Sequence, residues 1–244
     1  MTASRGNSGG GSGGSGSGGG TRSGGGRSLG GRTRLKSRRG RTNSSARWLE
    51  RQLNDPYVKR AHAEGWRARA AYKLIELDER FNLLQGADRV VDLGAAPGSW
   101  SQVVMKRRPR ATIIGIDLLE VAPMAGLTFL QGDFLAEGMD ERLIEMLGGK
   151  ADLVLSDMAA NTVGHNQTDH FRTMALVEAA AHFAARILRP GGSFVAKVLG
   201  GGADASVVAE LKRQFETVKH AKPPSSRKES SETFLVATGR KVEG

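Results

Sequence analysis

The sequence predicts an α/β protein built on a Rossmann-like, mainly parallel seven-stranded sheet, with helices on both faces and an antiparallel last strand. Three observations lead there. From residue 89 onward, β-rich runs alternate with helical stretches, the pattern of successive βαβ units. One run, Val90-Val91-Asp92-Leu93, passes through Gly94-Ala95-Ala96-Pro97-Gly98 into Ser99-Trp100, a buried strand turning through small residues into a helix. Asp117, Asp133 and Asp157 close later strands, so one edge of the sheet carries repeated carboxylates.

Taken in order, residues 48–81 space Tyr57, Val58, Tyr72, Leu74, Ile75 and Leu77 among many Arg and Glu, which predicts several short helices. Strands are predicted at 89–93, 112–118, 127–131, 152–156, 193–199 and 233–238, and helices at 99–107, 138–147, 169–188 and 204–216. Arg189-Pro190-Gly191-Gly192 ends the long helix, because proline has no N–H to continue the ladder and glycine accepts the turn. The segment 217–221 joins the run at 233–238 through Pro223-Pro224-Ser225-Ser226-Arg227. That loop is too short for a helical crossover, so the two strands are predicted antiparallel.

Composition divides the chain in two. Of its 244 residues and net charge of +11, the first 47 residues hold ten basic side chains, no acidic one and sixteen of the 34 glycines. The remainder is almost neutral and has the composition of one globular domain. Residues 1–45 are therefore expected to be a disordered Gly/Ser/Arg tail, since ordering them costs entropy that no burial offsets. Residues 46–244 are expected to form the folded domain. The tail reads either as a polycation that meets RNA phosphates or as a solvated extension without a dedicated partner. Collagen and coiled coil are excluded. The absence of cysteine excludes disulfide frameworks, thiolate metal sites and thiol nucleophiles. No apolar run approaches the roughly 20 residues of a bilayer span, so a soluble, cytoplasmic protein is expected.

The turn after the first strand has Gly-x-x-x-Gly spacing rather than G-x-G-x-x-G, which disfavours a pyrophosphate cofactor and a nicotinamide-dependent dehydrogenase with it. Asp117 is placed to bond both ribose hydroxyls of an adenosine, and Asp133 to accept from its adenine amino group. Carboxylates along a sheet edge attract a sulfonium and repel a pyrophosphate. S-adenosylmethionine is the expected cofactor, with a tight turn and solvated acids as the plain alternative.

Four further residues are candidates to react: Lys73 in the helical segment, Asp157 after the fourth strand, Lys197 in the fifth and Glu232 at the start of the last. A lysine inside Phe194-Val195-Ala196-Lys197-Val198 is costly to bury unless paired. It either packs its stem and sends its head to water, or it is held beside a hydroxyl by acids that fix its position. A sugar hydroxyl is a poor nucleophile, and its methylation gains from proton removal or orientation. Whether Lys197 is a neutral base or a charged group steering the oxygen stays open in the sequence.

From about residue 47 to residue 240 the chain resembles the FtsJ/RrmJ family of ribosomal RNA ribose methyltransferases, class I enzymes that use S-adenosylmethionine. The resemblance runs through Leu53-Asn54-Asp55-Pro56-Tyr57-Val58, Arg69-Ala70-Ala71-Tyr72-Lys73-Leu74, VVDLGAAPGSWSQ, LQGDF at 130–134, LSDMAAN at 155–161, PGGSFVAKV at 190–198 and VATGRK at 236–241. It implies a catalytic set of Lys73, Asp157, Lys197 and Glu232, with Lys197 as proton acceptor. It also implies donor contacts at Gly98, Trp100, Asp117, Asp133 and Asp157. The implied substrate is a uridine in the A loop of large-subunit (23S) rRNA, met on assembled or nearly assembled 50S particles; a monomer is the expected state for an enzyme that must dock on a much larger particle. Ser99 stands where the family commonly has glycine and Ala160 where it has proline; neither removes a reacting group.

Arg51, Lys59, Arg60, Arg67, Arg69, Arg80, Lys222, Arg227 and Lys228 flank the site in sequence and are expected to position RNA by phosphate contact. Tyr57, Trp66 and Tyr72 are either core residues at helical spacing or platforms for an unpaired base. A tRNA methyltransferase and a non-catalytic assembly factor are the competing functions. Retention of all four candidate reacting residues speaks against the second.

Overall fold

A computed structural model describes residues 50, 52–160, 166–199 and 205–242; the predicted tail, residues 1–45, lies outside them. Helix α1 (Pro56–Ala63) starts where Asp55 caps it, accepting from the Tyr57 N–H at 3.0 Å, with Pro56 in the first turn where no N–H is needed. Helix α2 (Ala70–Phe81) stops at Asn82 in the left-handed conformation. There follow β1 (Arg89–Leu93), α3 (Ser99–Arg107), β2 (Thr112–Asp117), β3 (Leu127–Gln131), α4 (Met139–Leu147), β4 (Ala151–Ser156), α5 (Asn166–Ile187), β5 (Leu188–Val198), α6 (Ala205–Gln214), β6 (Phe215–Ala221) and β7 (Thr233–Arg240). Among the described residues no helix is long and apolar enough to cross a membrane.

The seven strands lie in the order β3-β2-β1-β4-β5-β7-β6. Strand β7 runs antiparallel to both its neighbours, and the pairs β1–β2, β1–β4, β2–β3 and β4–β5 are parallel. The sequence gives the antiparallel final pair; the insertion of β7 between β5 and β6 is visible only in the structure. One strand begins earlier than expected. Leu188 already pairs with Ala151, then the register jumps to Ser193 opposite Leu153. The Pro-Gly-Gly run therefore bulges within β5 instead of preceding it, as fits a proline with no ladder donor and Gly191 at φ +78°.

Alternation along the strands sorts the core into two layers. Val91, Leu93, Phe194 and Ala196 pack with α5 through Phe183 and Ile187, whereas Val90, Leu153, Val195 and Phe234 pack with α2 and α3 through Leu74, Leu77 and Val103. Each such fully buried Val, Leu, Ile or Phe side chain contributes roughly 1.5–3 kcal/mol. The two layers fix the strand ends from which the site is built.

Candidate functional site

All the parallel strands point their carboxyl ends at one rim, where open α/β sheets hold ligands. At that rim Gly94 takes φ +76° and its N–H donates to the Ile116 carbonyl at 2.9 Å. A Cβ there would stand 2.7 Å from the Met158 nitrogen and 2.9 Å from its Cα, so only glycine lets β1 leave the sheet beside the exit of β4. The Asp157 N–H donates to the Leu93 carbonyl at 3.0 Å, which holds Asp157 against the same turn.

Between the turn and the ends of β2 and β3 lies a cleft of about 280 Å³, lined by Gly94, Asp117, Asp133, Phe134, Asp157 and Met158 among others. Three of the predicted donor residues thus meet in one space. Asp117 accepts from the Ala96 N–H and the Leu119 N–H, both at 2.9 Å. Its carboxylate shapes the cleft and still has a second lone pair on each oxygen. Asp133 accepts from the Leu135 N–H at 2.9 Å through Oδ1. Gly98, at φ +96°, opens α3.

Trp100 is placed differently from a side-chain contact. Its indole is buried, donates to the Ala70 carbonyl at 2.9 Å and packs 5.7 Å from Phe234. Its backbone N–H lies in the first turn of α3, where an amide has no partner within the helix.

Asp92 lies beneath the turn with no exposure; its Oδ2 accepts from Ser101 Oγ at 2.6 Å and its Oδ1 has no partner. Burial pushes its carboxyl up to about 7; the Ser101 hydrogen bond opposes this, and the charges of Asp157 and Asp117 add to it. Between the ordinary carboxylate range and about 7 the folded chain therefore binds a proton that the unfolded chain releases. Stability then falls as pH rises through that window, by up to about 1.4 kcal/mol per pH unit. Denaturant melts between pH 4.5 and 8 should show this slope in the wild type and a flatter profile in Asp92→Asn; parallel profiles would show that Asp92 stays ionised.

The four candidate reacting residues form two ion pairs rather than one lysine between two acids. Lys73 Nζ meets Glu232 Oε2 at 2.6 Å, and Glu232 Oε1 accepts from Ser226 Oγ at 3.0 Å. Lys197 Nζ donates to the Asp157 main-chain carbonyl at 2.6 Å and lies 3.0 Å from Asp157 Oδ1. Register explains the arrangement: Lys197 stands opposite Phe234 on β7, and Glu232 lies two residues before Phe234, on the same face. The Lys73 ammonium is 5.7 Å from the centre of the Phe234 ring. Phe234 is a residue the sequence reading missed, since a buried aromatic in a strand carries no chemical signal.

The predicted basic flank is largely engaged within the chain. Arg69 and Arg227 both bond the buried Asp55 carboxylate, and Arg69 also reaches the Ser225 carbonyl. Arg67 donates to three carbonyls, Lys222 to those of Lys228 and Ser230, and Arg60 pairs with Glu64 at the surface. Arg80 covers the neighbouring Phe81 ring. Lys59 and Lys228 make no ion pair among the described residues, and Arg51 lies outside them.

Of the aromatic candidates, Tyr72 is core: it is buried, its hydroxyl donates to Glu64 at 2.9 Å, and burial with that bond pushes the hydroxyl up to about 12. Trp66 is half-buried under the Lys106 ammonium. Tyr57 lines a second cleft, of about 380 Å³, with Arg69, Ser226, Arg227 and Lys228.

Comparison with known proteins places this geometry. The family model described as FtsJ-like methyltransferase matches residues 66–240. The chain is 64% identical over 208 residues to the ribosomal RNA large subunit methyltransferase E of Rhizorhabdus wittichii, covering 85% of this chain and 91% of that one. It is 67% identical over 204 residues to the protein of the same name from Zymomonas mobilis, covering 84% and 92%. A crystal structure from Plasmodium falciparum, described as a ribosomal RNA methyltransferase, superposes with a TM-score of 0.64 at 32% identity, over 73% of this chain and all of that one.

Proposed function

Because the chain belongs to the FtsJ-like methyltransferase family, we propose that it methylates the ribose 2′-OH of a uridine in the A loop of large-subunit (23S) rRNA, using S-adenosylmethionine. The observation that carries this reading is that Asp157 belongs to two places at once. It lines the cleft at the sheet rim and it is the ion-pair partner of Lys197. A donor group and an acceptor amine are thereby tied to one residue.

The cleft suits the donor chemically, since its charged lining is carboxylate and a sulfonium is drawn to it. When bound, S-adenosylmethionine supplies an electrophilic methyl group. Asp117 would hold ribose hydroxyls through its remaining lone pairs, Asp133 would accept from the adenine amino group, and the first-turn amide of Trp100, beside the Gly98 turn whose own N–H is held by the Ala95 carbonyl, would meet the methionine part. As the new carbon–oxygen bond formed, the donor's sulfur–methyl bond would break and release S-adenosylhomocysteine; the acceptor hydroxyl would give up its proton, and Lys197, once in its neutral form, would take it. The Lys73–Glu232 pair, its carboxylate bonded by Ser226, would help to orient the acceptor.

The rRNA substrate follows from the names of the relatives and from the length over which they match. On this reading the enzyme is a cytoplasmic monomer acting on 50S particles, with residues 1–45 adding phosphate contacts as a polycationic arm. Tritiated methyl transfer to 50S particles, free rRNA and tRNA, followed by nucleoside digestion, tests it. Label in 2′-O-methyluridine from particles is expected. Label confined to tRNA, or none on any acceptor, would replace this reading with one of its competitors.

A further inference from the structure

We propose that Arg67 is a positioning residue of the donor site, a clamp that ties the glycine turn after β1 to the loop after β2, and not a phosphate contact. The inference rests on the cleft being where the methyl donor binds. Arg67 Nη1 donates to the Pro97 carbonyl at 3.0 Å and to the Ala122 carbonyl at 2.8 Å, and Nη2 donates to the Pro123 carbonyl at 3.1 Å. Pro97 immediately precedes Gly98 at the mouth of α3, and Ala122 and Pro123 lie midway along the loop between β2 and β3. One guanidinium therefore spans two loops that flank the cleft.

The chemistry of those loops explains why an arginine is needed. Both present carbonyls at proline-containing segments, and proline brings no N–H, so the two loops have few donors to offer each other. A guanidinium is a donor-only group with five N–H bonds in a planar fork, which suits several carbonyls approaching from different directions. No carboxylate pairs with Arg67 among the described residues, so these carbonyls are its partners.

The arginine is itself held. Its backbone N–H donates to Gln102 Oε1 at 2.9 Å, and Gln102 Nε2 donates to the Gly65 carbonyl at 2.8 Å, which docks residues 65–67 on α3 in both directions. The far side of the clamp is equally close. A Cβ on Gly98 would stand 3.2 Å from Arg67 Nη1, 3.2 Å from Val121 and 3.3 Å from Met124. Glycine at 98 suits the backbone conformation, and a side chain there would press on the clamp. With Arg67 engaged in this way, its charge is turned toward main-chain oxygens and away from RNA.

Calorimetric titration of the full chain with S-adenosylmethionine tests the assignment, alongside RNA binding at several salt concentrations. Arg67→Ala should bind the donor about tenfold or more weaker, the loss expected when about 1.4 kcal/mol of preorganisation is removed. Its kcat at saturating donor should stay within about threefold of wild type, and its RNA affinity and salt dependence should not change. Arg67→Lys, which keeps the charge and folds without a cavity, should recover only part of the donor affinity, since an ammonium cannot span both loops. Asp117→Ala serves as a reference. If wild type fails to bind the donor, the proposed function is at fault. If Asp117→Ala binds weakly but Arg67→Ala and Arg67→Lys match wild type, the clamp is refuted. A fall of about one in the salt slope for RNA in Arg67→Ala would make the residue a phosphate contact after all.

Discussion

Lys197→Ala is expected to lower methyl transfer by roughly 10²–10⁴-fold, the span ordinarily associated with a positioned acid or base, while leaving donor affinity within about threefold of wild type. The separation follows from where the amine sits. Lys197 reaches Asp157 from β5, with its side chain 10% exposed, and lies outside the lining of the donor cleft. On the proposed reading, removing it takes away the proton acceptor while Asp117 and Asp133 remain in the cleft. The truncation also leaves the Asp157 carboxylate without its cation in a site that is itself only 20% exposed, so some loss of stability accompanies it. Single-turnover transfer, measured where thermal melts show the variant folded, keeps the two effects apart. Transfer within tenfold of wild type would remove Lys197 from the chemistry.

Gly94→Ala should be among the most damaging single-methyl changes in the chain. At φ +76° an L-residue carries a strain on the order of 1–2 kcal/mol, and its Cβ would meet the backbone of Met158 at 2.7–2.9 Å. Main chain at the end of β4 cannot rotate aside as a side chain would, and moving it moves Asp157. A total cost above about 3 kcal/mol is expected, together with loss of donor binding. Gly65 supplies the comparison, since it has φ +75° but nothing within 4 Å of a Cβ. Gly65→Ala should cost only the backbone strain. Equal denaturant midpoints for the two variants would show that the approach of Met158 is not what requires glycine at 94.

Legibility of the fold tracked periodicity. The strands at 89–93 and 127–131 and the helix at 99–107 have the bounds their patterns predict, because burial on a sheet or helix face leaves a regular signature in the chain. The start of β5 was hidden, since Pro190, Gly191 and Gly192 read as a stop and only the partner strand reveals the bulge. In the site, Asp117, Asp133 and Asp157 could be placed because each ends a predicted strand. The partners of the lysines could not, since the pairing of Glu232 with Lys73 depends on α2 packing over β7, a contact 159 residues apart. Arg67 and Arg69 look like surface cations in the sequence. Nothing local distinguishes a guanidinium turned toward carbonyls from one turned toward solvent, so the sequence offers every cation of the basic flank alike.

The placement of β7 bears on the order in which a newly synthesised chain becomes competent. The four strands that shape the donor cleft emerge first, and their pairing needs nothing from the last thirty residues. Glu232 and the antiparallel partner of β5 arrive only with the final hairpin, and β6, which pairs with β7 at the edge of the sheet, joins through it. On the proposed reading, competence for methyl transfer is therefore the last property the polypeptide acquires, and a chain cut short before that hairpin would keep the cleft at the rim but lack Glu232.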